Sequence, residues 1–238
     1  MVRVRGDRDE QDLPAGHPAG RAHAVRAAGR GDEALKPRHL TPLAWAAGVV
    51  DAVSYISLGS VFTANMTGNT VLLGIAAAEG DGGHAARSAA ALGGFCAGAV
   101  LGTLVPGTGA GLRLEALLLA GLALLGALTS VPRVPLILLG GATMGLQTSS
   151  VRRSNETGVN VTYITGTTTM FVMRATRKLL RREREEDAAD RGVALPGSVW
   201  VCYALGGLIG ALLAHGLIHR WTFLLAALAA TIGSLRSG

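Results

Sequence analysis

Charge is scarce in this chain. Only 16% of its 238 residues are Asp, Glu, Lys or Arg, against roughly 25% in ordinary soluble domains. That argues against a water-soluble enzyme and against a disordered chain. Aromatic residues are scarce too, at 4%. There are two cysteines, Cys96 and Cys202, so neither a disulfide scaffold nor a zinc cluster is expected. Both lie in apolar stretches and read as small buried side chains. No Walker loop, dinucleotide fingerprint or Ser-His-Asp set is present. The polar residues within apolar sequence are too few to build a hydrolase, so neither an enzyme nor a cofactor is expected.

In place of these features stand apolar residues and glycine. The apolar share is 49%, with 34 glycines and a mean hydropathy of +0.39. Small residues let helix backbones approach closely inside a bilayer. The net charge of +6 and the pI near 10.1 suggest a nucleic-acid binder at first sight. The bases sit in tails and loops, however, as the positive-inside bias of membrane proteins places them. The expected partners are therefore the lipid bilayer and a small solute or ion, not nucleic acid; an oligomer stays open.

Residues 1–40 read as a disordered basic tail, with Arg3, Arg5, Arg8, Arg21, Arg26, Arg30, Lys36 and Arg38 against six acids. No apolar run of signal-peptide length occurs there. The basic excess before the first apolar run predicts a cytoplasmic N-terminus. Residues 41–238 read as an integral membrane domain. Apolar stretches cover about 42–60, 61–79, 86–106, 112–131, 134–151, 159–175, 196–218 and 220–235. A helical span needs about 20 largely apolar residues. Two stretches, VFTANMTGNTVLLGIAAA and VNVTYITGTTTMFVMRA, are short and studded with Thr, Asn and Gly.

Those two stretches suggest a duplication. Thr67-Gly68-Asn69-Thr70 aligns with Thr165-Gly166-Thr167-Thr168 at an offset of 98. Gly98 and Gly102 align with Gly206 and Gly210 at an offset of 108. The predicted architecture is all-α and polytopic, with two related halves (about 41–131 and 134–235) and six to eight membrane segments. If the Thr-Gly segments cross the bilayer, there are eight spans and parallel halves. If they are re-entrant, there are six spans and inverted halves.

Asp51 lies about ten residues into the first apolar run. An ionised carboxylate in hydrocarbon must face a cavity, find a partner or stay protonated. The functional reading is a coupling site; the structural one is an anchor bonded to a neighbouring helix. Thr-Gly segments that break a helix free backbone groups, which must line a cavity or be buried in protein. Paired interrupted segments point to a transporter site near the midplane, while tight interhelical packing is the alternative. The candidate pathway comprises Asp51, Asn65, Thr67, Gly68 and Asn69 in one half, with Tyr163, Thr165 and Gly166 in the other. Gln147 occupies roughly the place of Asp51 in the second half. Arg152 and Arg153 supply a second charged element, either for an anion or as markers of the membrane boundary. Glu115 reads as an interfacial residue beside Arg113, and His215 with His219 as interfacial histidines; no metal site is expected. The mixed-charge stretch Arg174–Arg191 reads as a solvated cytoplasmic helix or loop.

DAVSYISLGSVFTANMTGNTVLLGIA, GLQTSSVRR and VTYITGTTT together resemble the YoaK-type family of bacterial integral membrane proteins. The likeness covers about 41–235 and implies a polytopic plasma-membrane protein. It implies no activity, because the family has no established biochemical role. The functional expectation is a secondary transporter or channel-like permease; the alternative is a non-transporting scaffold or partner-binding subunit.

Overall fold

The computed structural model describes residues 39–127, 131–155, 159, 162, 164–180 and 192–215. The tail of 1–38, Tyr163, His219, most of the charged stretch after Leu180 and the apolar stretch 220–235 lie outside the described residues. The described residues are all-α, in seven helices: α1 (Leu40–Ser57), α2 (Met66–Glu79), α3 (Gly82–Leu104), α4 (Thr108–Ala127), α5 (Arg133–Ser154), α6 (Ile164–Leu179) and α7 (Ala194–His215). Five of them (α1, α3, α4, α5 and α7) are long and apolar enough to cross a membrane. At 1.5 Å per residue, α2 is only about 21 Å and α6 about 24 Å long, short of the roughly 30 Å hydrocarbon core.

Local sequence sets the helix ends. Pro42, Pro135 and Pro196 each stand third in their helix, where the missing N–H has no intrahelical acceptor anyway. A two-residue joint links α2 to α3. Gly80 caps α2 at φ 72, a left-handed conformation that glycine adopts without steric cost. Asp81 then caps α3, its carboxylate accepting the His84 N–H at 2.9 Å.

Glycine sets the packing. A Cβ on Gly94 or Gly98 would collide with the carbonyls of Leu138 and Ala142, so α3 lies backbone to backbone along α5, running parallel to it. The same holds for Gly206 and Gly210 of α7 against Trp45 and Val49 of α1. Helices embedded in lipid gain little from the hydrophobic effect and cohere by such close contact. The outward faces carry bare apolar side chains such as Leu104, Leu117 and Leu212, the first 73% exposed. Cys96 is exposed on the outer face of α3 and Cys202 is half-buried on α7. The expectation that both cysteines are buried therefore fails for Cys96, because the glycine face of α3, not the cysteine face, meets α5.

Helix directions follow from these contacts. Thr108 meets Ser154 and Leu122 reaches Gly140, so α4 is antiparallel to α5. Gln147 reaches the Leu43 carbonyl while Gly140 faces Thr63, which is bonded to Asp51 and Ser54 of α1, so α1 is antiparallel to α5 as well. Thus α1, α4 and α7 run one way and α3 and α5 the other. The chain between α1 and α3 must therefore leave and return at one end of the bundle. Gly59 and Ser60, both at positive φ, turn it there. Arg87 Nε donates to the Gly59 carbonyl at 3.1 Å, pinning this turn to the start of α3. By the same reasoning, the segment between α5 and α7 leaves and returns at the opposite end.

Candidate functional site

The first dipping segment is held by its own polar residues. Thr63 and Ala64 sit beside Asp51, six residues before the end of α1, or about 9 Å down the helix. Asp51 Oδ1 accepts the Thr63 N–H at 2.8 Å and the Ala64 N–H at 2.7 Å, and Oδ2 accepts the Tyr203 hydroxyl at 2.6 Å. The carboxylate is 3% exposed. The Ser54 and Thr63 hydroxyls are 3.1 Å apart. Asn69 grips Phe62 at two points: Nδ2 donates to its carbonyl at 2.6 Å, and Oδ1 accepts its N–H at 2.9 Å. Asn65 caps α2 by accepting the Gly68 N–H at 3.2 Å. Gly68 lies close under the Phe62 ring, where a Cβ would be crowded. A chain that abandons helical bonding where its backbone is buried must satisfy its polar groups within the protein, and these side chains do so.

The second segment is tethered in a similar way. The Thr148 and Thr162 hydroxyls are 2.8 Å apart, and Thr148 again stands six residues before the end of its helix. The Asn155 amide donates to the Val159 carbonyl.

Between the two segments lies a cavity of about 800 Å³, within the range that holds small ligands. Its walls include Asn65, Met66 and Thr67 at the start of α2, and Thr162, Gly166 and Thr167 at the start of α6. Thr148, Val151 and Arg152 of α5 and Phe95 of α3 complete the main surface. Arg152 is the one charged residue on the wall among the described residues. Helix N-termini carry partial positive charge, so two of them and a guanidinium act on one space.

Of the residues singled out by sequence, Asn65, Thr67, Arg152 and Gly166 meet at this cavity. Gly68 and Asn69 work inside the first segment. Thr165 faces a second, more open hollow of about 490 Å³ on the other side of α6. Asp51 is not on the cavity wall; of the fates open to a buried carboxylate, it has found partners. Gln147 is buried away from the cavity, donating from Nε2 to the Leu43 carbonyl at 3.3 Å. Arg153 donates to the carbonyls of Gly102 and Val105, closing the C-terminal end of α3, where a cation complements the helix dipole. Tyr163 lies outside the described residues.

Sequence reasoning left out Thr148, Thr162 and Thr167. Thr148 stands four residues before Arg152, on the same helix face, and that spacing is a usable signal. Glu115, read from the sequence as an interfacial residue beside Arg113, is 0% exposed, because its face of α4 is the one turned to α5. No group of three or more His, Cys, Asp or Glu that could hold a metal exists among the described residues.

Similarity to known proteins agrees with this architecture. The chain is 33% identical over 191 residues to the UPF0700 transmembrane protein YoaK of Bacillus subtilis (strain 168), covering 76% of this chain and 84% of that protein. No solved structure matches. This is a multi-pass membrane protein, and with residues 40–235 matched by the family model described as protein of unknown function (DUF1275), the chain belongs to that family.

Proposed function

We propose that the chain is a permease for a small anionic solute and that the 800 Å³ cavity is its site. One observation carries the reading: the starts of α2 and α6 and the Arg152 side chain converge on one space whose described walls bear no carboxylate. Discontinuous helices whose N-termini address an anionic group are a recurring device of transporter sites. Asn65, Thr148, Thr162 and Thr167 add hydroxyl and amide groups for orientation. Asp51 serves in this reading as the anchor of the first hairpin.

The same proposal takes 41–131 and 134–235 as inverted copies with six crossings and an N-terminus on the cytoplasmic side of the plasma membrane. The support is reciprocal packing. Gly98 faces Ala142 where Gly206 faces Trp45, and Gly102 faces Leu146 where Gly210 faces Val49. The glycines keep an offset of 108 and their partners an offset of 97. By the latter offset the counterpart of Asp51 is Thr148, not Gln147, and each of the two tethers the segment that follows its own helix.

The test is flux through proteoliposomes loaded with chloride, acetate or phosphate, with choline as counter-cation. Anion flux that falls at least tenfold in Arg152→Gln and partly survives in Arg152→Lys supports the reading. Flux indifferent to Arg152, or carried by cations, overturns it. Absence of any flux leaves a scaffold or partner-binding subunit as the better account.

A further inference from the structure

The register of α4 on α5 is fixed at three levels. The Thr108 hydroxyl meets Ser154 Oγ at 2.9 Å, Gly111 lies against the Ser150 side chain, and Leu122 reaches Gly140. Between the second and third levels this register sets Glu115 opposite Gln147. Both residues are 0% exposed. Neither carboxyl oxygen of Glu115 has a hydrogen-bond partner, and neither does Gln147 Oε1. The orientation of the amide is dictated: Nε2 donates to the Leu43 carbonyl, which can only accept, and this turns Oε1 away from α1. On the same stripe of α5, the Thr143 hydroxyl is spent on the Leu139 carbonyl.

No cation faces the pair from its own or the opposite helix. Arg113, two residues away on α4, is exposed, and the facing stripe of α5 (Gly140, Thr143, Gln147, Ser150, Ser154) has no titratable group. Next to α1 the titratable residue at this end is His39, which precedes the helix one turn before Leu43 and is itself buried. Three acceptor oxygens thus lie at one buried level, and the unpartnered hydroxyl on this stripe, Ser150, sits one turn away beside Gly111; the arrangement strongly disfavours a bare carboxylate.

We infer that the α4–α5 interface is a proton-binding site, with Glu115 carrying the proton and Gln147 Oε1 accepting its hydrogen bond. One proton converts an acceptor–acceptor clash into a donor–acceptor pair. The site is separate from the cavity and does not rest on the permease reading. Within a permease, it is the carboxyl group through which proton movement would be tied to solute movement.

Infrared difference spectroscopy of the full chain in lipid nanodiscs, at neutral pH in choline buffer, tests this. The expected result is a C=O stretching band of a protonated carboxyl that vanishes in Glu115→Gln. In Gln147→Met the same band persists at higher frequency, because the acid has lost its acceptor. If Glu115→Gln does not accumulate, the Gln147→Met displacement alone assigns the band. A wild-type spectrum without a band responding to either substitution overturns the inference. So does a band that sodium abolishes, which would identify a metal cation as the occupant. A protein that shows the band but moves no solute keeps this site and loses the permease reading.

Discussion

The Tyr203 hydroxyl donates to Asp51 Oδ2 at 2.6 Å, tying α7 to α1 across 152 residues of sequence. The same carboxylate accepts both backbone N–H groups that begin the return of the first hairpin. One side chain therefore joins three parts of the chain. Removing it leaves buried donors without acceptors. Asp51→Ala is expected to cost about 3 kcal/mol or more, and Tyr203→Phe about 1.5–3 kcal/mol. In thermal unfolding of the purified protein, the double variant should lie close to Asp51→Ala alone, since both changes break one bond. Strictly additive losses would show that the two residues act separately.

Gly93 and Gly98 make opposite predictions five residues apart. A Cβ on Gly98 runs into the Ala142 carbonyl, whereas one on Gly93 meets nothing within 4 Å. Gly98→Ala should force α3 off α5 at a cost of about 1–3 kcal/mol. Gly93→Ala should be neutral or stabilising by about 0.5–1 kcal/mol. Denaturation midpoints of the two variants decide it; equal midpoints would contradict the close approach.

The two hairpins should report from opposite sides of the membrane. A single cysteine at Gly82, with Cys96 and Cys202 replaced, is expected to react with an impermeant maleimide added outside intact cells. One at Leu179, which is 82% exposed, should react only after permeabilisation. Labelling of both positions from one side would exclude the inverted arrangement.

Asp81 lies outside the membrane helices, and its bond from the His84 N–H holds its carboxyl below the usual range, with Arg87 adding a smaller effect in the same direction. A depressed value in the folded state means stabilisation that is present above the ordinary carboxyl range, near about 4, and lost as pH falls toward the folded value. The melting temperature of the wild type should therefore drop more between about pH 5 and 3 than that of Asp81→Asn, which keeps a capping oxygen without the charge. Parallel pH curves would remove the assignment.

Much of this architecture was legible in the residues. The apolar runs mark the five long helices, and the Thr-Gly stretches mark the starts of the two short ones, α2 and α6. The glycine spacings at 94/98/102 and 206/210 mark the packing faces, but not which helix each face meets, since spacing carries no partner identity. Asn65, Thr67 and Arg152 stood out as polar groups in apolar sequence and Gly166 as a break in a Thr-rich helix; all four stand on the cavity wall. Asp51 attracted notice for the same reason, yet only three-dimensional proximity reveals that backbone N–H groups and Tyr203 absorb its charge. Glu115 was obscured by Arg113: adjacent charges suggest an interface, but two residues along a helix point about 160° apart by the 3.6-residue period.

The bond between Tyr203 and Asp51 also bears on how the chain is made. Ribosomal synthesis delivers α1 to the bilayer long before α7 exists, since 152 positions separate the acid from its phenol. For that interval Gly48 of α1, which lies against the Tyr203 carbonyl of α7, lacks that neighbour, and the carboxylate holds only the two amides of its own hairpin. Insertion of the first helix must therefore be completed by the last of the described ones, making assembly a closing of the circle rather than a simple addition of spans.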